Sequence, residues 1–168
     1  MDHPRFMAMA LEQAQKALKA GEFPVGCVIA DGSAVLTTGA RKGTRKNRFN
    51  ETDHAEMVAL ARLAQLDPAP DRKNLVLYST LEPCLMCLGA TLIHGISQIV
   101  YGCEDAMGGG TACDLSGLTP LYKDRRVNIL PGVMRAESLG LLKAYFQAPG
   151  NAYLKDTLLA RYILGQNG

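Results

Sequence analysis

The chain has 168 residues, of which 48% are apolar and 20% charged, and its formal net charge is +2. This length suits a single domain that buries about two-thirds of the surface its unfolded chain exposes, and the composition is typical of globular proteins. So small a net charge neither indicates nor excludes a nucleic-acid partner. No apolar run approaches the roughly 20 residues of a transmembrane helix, and the N-terminal residues lack the pattern of a signal peptide.

Five cysteines are present, and two of them have the C-x-x-C spacing. In a chain of this kind they indicate metal or redox chemistry in a reducing compartment rather than a framework of disulfides. We therefore expect a cytoplasmic protein that does not associate with membranes.

Helical and strand-like segments follow one another closely along the chain. In order, the predicted elements are a helix at residues 3–20, strands at 25–30 and 34–38, a loop at 41–53, a helix that begins at 54 and ends before 68, a strand at 75–78, a helix at 84–94, strands at 96–101 and 126–130, and helices at 136–147 and 151–164. Asp31-Gly32 between the first two strands is a hairpin signal, and Pro149-Gly150 separates the last two helices.

This order of elements predicts an α/β fold. After residue 54, single strands alternate with helices, which indicates parallel strand pairs joined by helical crossovers. An initial hairpin added to such strands, with helices on both faces, gives a three-layer α/β/α arrangement around a mixed sheet. We predict one domain over residues 1–168, with a C-terminal helical extension at about 151–168.

The most informative feature is the pair of motifs His54-Ala55-Glu56 and Pro83-Cys84-Leu85-Met86-Cys87. One imidazole and two thiolates are ligands that a catalytic zinc takes, with its fourth position left open. The two cysteines lie near a helix N-terminus, whose dipole favours the metal-binding thiolate form. His54 also begins a helix, so two helix N-termini are expected to meet at one edge of the sheet, where open α/β folds usually bind ligands.

Taken alone, the C-x-x-C spacing leaves two alternatives open. Cys84 and Cys87 could be a redox pair, or simply small buried apolar residues. The histidine and glutamate of the preceding helix favour a metal site. His94 ends the helix that begins at Cys84, about 15 Å away along the helix axis, which is too far for it to be a ligand.

Glu56 admits two interpretations. It could be a solvated glutamate that stabilises the first turn of its helix. Next to a metal, without being a ligand, it could instead act as a general acid and base, which we expect here. The remaining cysteines, Cys27, Cys103 and Cys113, have no partner at metal-ligand spacing and are interpreted as structural.

Beyond these motifs, the chain resembles the cytidine deaminase-like superfamily over about three-quarters of its length, and is most similar to bacterial tRNA adenosine deaminases and related guanine and cytosine deaminases. The short motifs that match the family include Pro24-Val25-Gly26, Thr80-Leu81-Glu82-Pro83-Cys84, Ile93-His94, Asp105-Ala106 and Tyr145-Phe146. The resemblance implies a five-stranded mixed sheet and one Zn²⁺ per chain on His54, Cys84 and Cys87, with Glu56 as the catalytic acid and base. It also suggests substrate-binding roles for Ala55, Arg41, Asn50, Glu82, Pro83, Asp105, Tyr145 and Phe146.

Members of this superfamily are commonly homodimers, and the helix at 84–94 agrees with this. It is apolar nearly all round, which predicts that it is buried on every side. We therefore expect a homodimer.

Two departures from the family pattern concern the substrate. Relatives usually carry a base-reading asparagine at the end of the second strand, where this chain has Gly39-Ala40-Arg41, so that Asn47 or Asn50 could substitute for it. The tRNA enzymes also tend to end in a basic tail, whereas this chain ends in an apolar-faced helix.

The 41–48 loop carries five positive charges in eight residues, just before His54. Such a run is either a solvated surface or a contact for phosphates. Three functions therefore remain open. The first is deamination of adenosine in tRNA, which similarity favours, and the second is deamination of a free base, nucleoside or nucleotide of the guanine or cytosine type. The third is a zinc-stabilised binding module without catalysis, against which the presence of Glu56 argues.

Overall fold

The computed structural model describes residues 2–46 and 48–167, and of Arg48 the backbone only. In chain order its elements are α1 (His3–Lys19), β1 (Gly26–Ala30), β2 (Val35–Ala40), β3 (Thr44–Arg45), β4 (Arg48–Phe49), α2 (Ala55–Leu63), β5 (Val76–Leu81), α3 (Leu85–Ile93), β6 (Gln98–Cys103), α4 (Pro120–Lys123), β7 (Asn128–Leu130), α5 (Arg135–Gln147) and α6 (Leu158–Gly165).

Five strands form one mixed sheet in the order β2-β1-β5-β6-β7. β1 pairs antiparallel with β2 and β5, whereas β6 pairs parallel with β5 and β7. The parallel pairs are the ones connected through helices, because a parallel crossover must return the chain to the same end of the sheet. The predicted five-stranded mixed sheet is confirmed.

Alternating side chains of the strands enter two different apolar clusters, one on each face of the sheet. Val28 and Tyr78 pack with Phe6 of α1, while Ile29 and Leu77 belong to the cluster that includes the buried residues of α2 and α3. α5 lies on the α1 side against β6, and α6 packs on α5. The three-layer α/β/α fold predicted from the element order is therefore confirmed.

Two predicted segments differ from the structure. The loop at 41–53 contains a small hairpin, in which Thr44 pairs with Phe49 and Arg45 with Arg48. Two-residue strands are too short to produce a hydrophobic period, so the sequence could not reveal them.

The helix predicted at 151–164 was too long at its N-terminal end. Residues 153–156 form turns, and α6 begins only at Leu158. Leu154 has a φ of 58°, which is incompatible with a right-handed helix and separates this segment from α6.

The helix of the C-x-x-C motif, α3, is not buried on every side within the chain. Cys87, Leu88, Thr91 and Leu92 are buried, but Leu85 is 59% and Ile93 53% exposed. The chain by itself therefore buries only the inner side of this helix, and the prediction that a homodimer buries the outer side remains a prediction.

Across residues 2–46 and 48–167, none of the helices is both long enough and apolar enough to span a bilayer.

Candidate active site

Two helix N-termini bring the three predicted metal ligands together. His54 is the N-cap of α2 and Cys84 the N-cap of α3, with Cys87 in the first turn of α3. The His54 Nδ1 atom lies 3.6 Å from Cys84 Sγ and 3.5 Å from Cys87 Sγ, and the two sulfurs are 3.7 Å apart. In the part of the chain that the structure describes, this is the one His, Cys, Asp and Glu group with metal-binding spacing.

These separations are those that a tetrahedral zinc requires. With zinc bonds of about 2.3 Å to sulfur and about 2.05 Å to nitrogen, tetrahedral angles place two sulfurs about 3.75 Å apart and a sulfur and a nitrogen about 3.55 Å apart. All three observed distances agree with these values. The sulfurs are also too far apart for a disulfide, whose S–S bond is about 2.05 Å, and both cysteines are free.

The two thiols share a proton unequally. Hydrogen bonds from Cys87 and His54 to the Cys84 sulfur lower the pKa of Cys84, whereas its hydrogen bond to Cys84 and its burial raise the pKa of Cys87. One thiolate is thus stabilised by the protein alone. A dication would stabilise both, so metal binding at this site is expected to release a proton.

Glu56 lies beside this ligand set with its carboxyl group buried. One carboxylate oxygen accepts a hydrogen bond of 2.9 Å from Ser79 of β5, and the other lies 3.6 Å from Cys87 Sγ. Burial raises the pKa of Glu56, because a buried carboxylate loses its hydration. The interpretation as a solvated first-turn glutamate is therefore wrong, and the raised pKa suits a group that takes up and returns a proton near neutral pH.

A cavity opens above these groups at the ends of β1, β2 and β5. It contains about 60 Å³ of space and is lined by Phe23, Val25, Arg41, His54, Ala55, Glu56, Leu81, Glu82, Cys84, Asp105, Tyr153, Leu154 and Leu159. Since one buried water needs about 10–15 Å³ of such space, the cavity as it stands holds a few waters.

Four of the eight residues suggested for substrate binding line this cavity, namely Arg41, Ala55, Glu82 and Asp105. The other four lie outside it. Tyr145 and Phe146 are buried against Phe23 in an aromatic cluster, and Pro83 accepts a hydrogen bond from the Gly110 amide. The Asn50 side chain caps the turn at Thr52, and Asn47 lies outside the described residues.

Arg41 follows β2 directly and is only 3% exposed. Its Nη1 donates to the carbonyls of Lys42 and Asn50, and its Nη2 to Glu51 at 3.1 Å and to the Tyr153 hydroxyl at 3.2 Å. This cation is therefore paired and buried rather than part of a solvated basic loop. A guanidinium at the cavity can only donate hydrogen bonds, whereas an asparagine side chain can both donate and accept.

Glu82 organises the glycine-rich loop that follows β6. Its carboxylate accepts hydrogen bonds from the amides of Asp105 and Thr111, each at 3.2 Å. Gly109 lies so close that a Cβ there would come within 2.4 Å of Glu82 Oε2. This carboxylate thus fixes the loop wall of the cavity, with both oxygens already engaged.

Six cavity residues had not been identified from the sequence: Phe23, Val25, Leu81, Tyr153, Leu154 and Leu159. The motif Pro24-Val25-Gly26 includes Val25 and lies next to Phe23, and Leu81 belongs to the motif Thr80-Leu81-Glu82-Pro83-Cys84. For the last three the sequence offers no signal, because their distance along the chain from His54 is about 100 residues.

The family model of the cytidine and deoxycytidylate deaminase zinc-binding region matches residues 1–103. The chain belongs to this family. Membership supports a metal site at Cys84 and Cys87 over a redox pair, and it excludes the alternative of a non-catalytic binding module.

Similar proteins extend this match beyond residue 103. A tRNA-specific adenosine deaminase 2 from Xenopus laevis is 33% identical over 154 residues, covering 84% of this chain and 85% of the relative. A tRNA-specific adenosine deaminase from Streptococcus pyogenes serotype M18 is 29% identical, covering 84% of this chain and 88% of the relative.

Solved structures show the same fold. A chain from a study of A-to-I editing by tRNA:A34 deaminases superposes with a TM-score of 0.67 at 26% identity, covering 82% of this chain and 99% of the other. A guanine deaminase from Nitrosomonas europaea superposes with a TM-score of 0.65 at 21% identity, covering 84% and 83%; at that identity the likeness concerns the fold alone.

The protein is a zinc-dependent hydrolytic deaminase that takes one Zn²⁺, and His54, Cys84 and Cys87 form the group that could hold it. When bound, zinc supplies Lewis acidity that lowers the pKa of a coordinated water to near 7. Beside these residues the chain provides a small cavity and the buried carboxyl group of Glu56.

Proposed function

We propose that this deaminase converts adenosine to inosine in tRNA. The observation that carries the proposal is the 33% identity with a tRNA-specific adenosine deaminase 2 over 84% of this chain. The match spans the metal ligands, the loop after β6 and α5, so it includes the surroundings of the site and not its zinc motif alone.

A groove beside the catalytic cavity supports an RNA substrate. It is lined by Arg45, Lys46 and Phe49 of the small hairpin and by residues 150–153, and it shares Tyr153 with the cavity. The two cations are exposed, and Phe49 is 67% exposed. Cations that contact phosphates and an aromatic ring on which a base stacks are the usual elements of single-stranded RNA binding.

In this reaction Glu56 has two proton transfers to perform. Water adds to the ring carbon that carries the amino group, and Glu56 takes the proton released and delivers it to the adjacent ring nitrogen. Glu56 then takes the second proton from the added hydroxyl group and passes it to the amino group. As the C–N bond breaks, the hydroxyl oxygen becomes the carbonyl of the product and the amine departs as ammonia. Ser79 donates to the first carboxylate oxygen, which holds the carboxyl group in place with its second oxygen beside Cys87.

A second candidate, deamination of a free base, nucleoside or nucleotide, is supported by the cavity itself. Its space is small, and Tyr153 and Leu154 are part of its lining. Asp105 also lines it, and a carboxylate can accept a hydrogen bond from the amino group of a small base of the guanine or cytosine type.

An ammonia-release screen distinguishes the two. The zinc-loaded enzyme is tested on tRNA, on an adenosine-containing anticodon stem-loop, and on free bases, nucleosides and nucleotides, with the Glu56→Gln variant as the blank. We expect turnover of tRNA. Rapid turnover of a free base with none on any tRNA would contradict the proposal in favour of the second candidate.

We also propose a homodimer formed through the outer side of α3. Leu85 and Ile93 of α3 are more than half exposed, and a depression lined by Leu85, Leu88, Leu115, Leu118 and Tyr122 adjoins them. Contiguous exposed apolar surface of this kind is typical of interfaces. Light scattering at micromolar concentration should give a dimer, and Leu85→Asp should give a monomer that retains its zinc.

We propose that the protein functions in the cytoplasm. Its five cysteines are all free, and Cys113 is exposed, which fits a reducing compartment. Fractionation of the source cells followed by immunodetection tests this proposal.

A further inference from the structure

Leu154 combines an unusual backbone with a position in the catalytic cavity. Its φ of 58° lies in the left-handed region, which glycine adopts readily and a leucine rarely does. Leu154 lines the same cavity as His54, Glu56 and Cys84. A residue that retains a side chain in a strained conformation is over-represented at functional sites.

The surrounding contacts maintain this conformation. The Leu154 carbonyl accepts hydrogen bonds from the Thr157 amide at 3.2 Å and the Thr157 hydroxyl at 2.6 Å. On the other side, the Tyr153 hydroxyl donates to Glu51 at 2.7 Å and accepts from Arg41. The leucine is therefore fixed between the hydrogen bonds of Tyr153 and the first turn of α6.

The side chain of Leu154 can affect a bound ring only through its shape. It carries no polar atom, and it partly packs against the main apolar cluster. In a cavity of about 60 Å³ a bound ring must compete with it for space. Hydrogen bonding to the ring must come from other residues of the cavity, such as Asp105.

We propose that Leu154 is a specificity-determining residue of this deaminase, which limits the size of the base that enters the cavity. The inference depends on the deaminase site and on neither candidate substrate, because every candidate must place its ring beside the same leucine. A hydrophobic pocket discriminates about 10- to 200-fold per methylene group, so a leucine can separate rings that differ by a substituent.

The test compares Leu154→Gly and Leu154→Phe with Met134→Gly. Met134 also has a positive φ, 51°, packs against the apolar cluster of α1 and does not line the cavity, so its glycine variant relieves the same backbone strain without changing the cavity. The measured quantity is the ratio of kcat/KM for a larger to a smaller substrate, taken on the best substrate of the screen and its ring-methylated analogue. Zinc content and the melting temperature verify that each variant is folded.

We expect Leu154→Gly to raise this ratio by about tenfold or more relative to the wild type and Leu154→Phe to lower it. Met134→Gly should leave the ratio within twofold of the wild-type value. The proposal would be overturned if the ratio of kcat/KM in both Leu154 variants stayed within twofold of the wild-type ratio. An equal loss of kcat/KM on all substrates would also overturn it, because it would assign Leu154 a general packing role. The ratio can still be measured if tRNA is not the substrate, because it is taken on whichever substrates the wild-type enzyme deaminates. The two proposals can therefore fail independently.

Discussion

Gly39 of β2 lies directly against the backbone of Ala55, the first residue of α2. A Cβ at position 39 would come within 1.9 Å of the Ala55 carbonyl oxygen. The absence of a side chain at Gly39 therefore allows the N-terminus of α2 to approach the sheet, and His54 and Glu56 flank this contact on either side. A strand glycine far from the zinc motif thus fixes the position of two groups of the active site.

Gly39→Ala should consequently lower both stability and zinc content. Overpacking at a backbone contact costs about 1–3 kcal/mol, and a shift of α2 moves His54 away from the two sulfurs. Denaturant unfolding and elemental analysis measure the two effects. Gly140→Ala is the matched control, because a Cβ there meets nothing within 4 Å, and in the middle of α5 it should add about 0.5–1 kcal/mol of stability. Full zinc occupancy in Gly39→Ala would contradict the positioning role.

The purified protein should contain about one zinc per chain. Replacing one of three ligands removes most of the affinity, so Cys87→Ser should lose the metal, while Cys113→Ser, a change at an exposed cysteine, should retain it. Elemental analysis after gel filtration gives the metal content directly. Equal zinc in both variants, or a disulfide between Cys84 and Cys87 in the isolated protein, is the result that would refute the site.

Glu56→Gln should abolish ammonia release without loss of zinc. The amide keeps the shape of the side chain but cannot transfer protons, and general acid–base catalysis contributes about 10²- to 10⁴-fold. The exposed Glu12 of α1 provides a control, since Glu12→Gln should leave the rate unchanged. A Glu56→Gln variant with most of its activity would show that another group carries the proton.

Glu104 should make stability dependent on acid pH. Hydrogen bonds from Arg135 and Tyr162 lower the pKa of Glu104 to about 2. Because the folded pKa lies below the unfolded value of about 4.3, the stabilisation is complete above that value and is lost as the pH falls toward 2. The difference in melting temperature between the wild type and Glu104→Gln should therefore be constant above about pH 5 and narrow below about pH 4. A difference that does not vary between pH 7 and pH 3 would rule out this linkage.

Neutralising the cations of the groove tests the RNA surface. If Arg45 and Lys46 contact phosphates, the double change to Gln should weaken binding of an anticodon stem-loop and reduce the slope of log K against log salt by about 2. The control is Arg72→Gln with Lys73→Gln, which removes the same charge just before β5, at the end of that strand away from the metal site. It should leave the slope unaltered. Turnover of a free base should be insensitive to both double variants.

The sheet and the zinc ligands were predictable because they depend on local patterns. Alternating and helical hydrophobic periods identified the strands of the sheet and most helices. The three-residue spacing of Cys84 and Cys87 places both side chains on one face of a helix turn. The small hairpin at residues 44–49 and the left-handed turn at Leu154 were missed, since neither has a periodic signal and the strain at Leu154 runs against local preference.

The amino-acid sequence by itself determined the chemistry of this protein: His54, Cys84, Cys87 and Glu56 occur at spacings that only a few local structures allow. The tertiary structure alone decided the walls of the cavity. Arg41 became a buried cation because Glu51 and Tyr153 reach it from 10 and 112 residues away, and Leu154 came to line the cavity beside His54 and Cys84 through the packing of α6 on α5. Contacts between distant segments depend on how whole helices and strands pack. A local sequence pattern therefore does not show which distant segment will line the cavity.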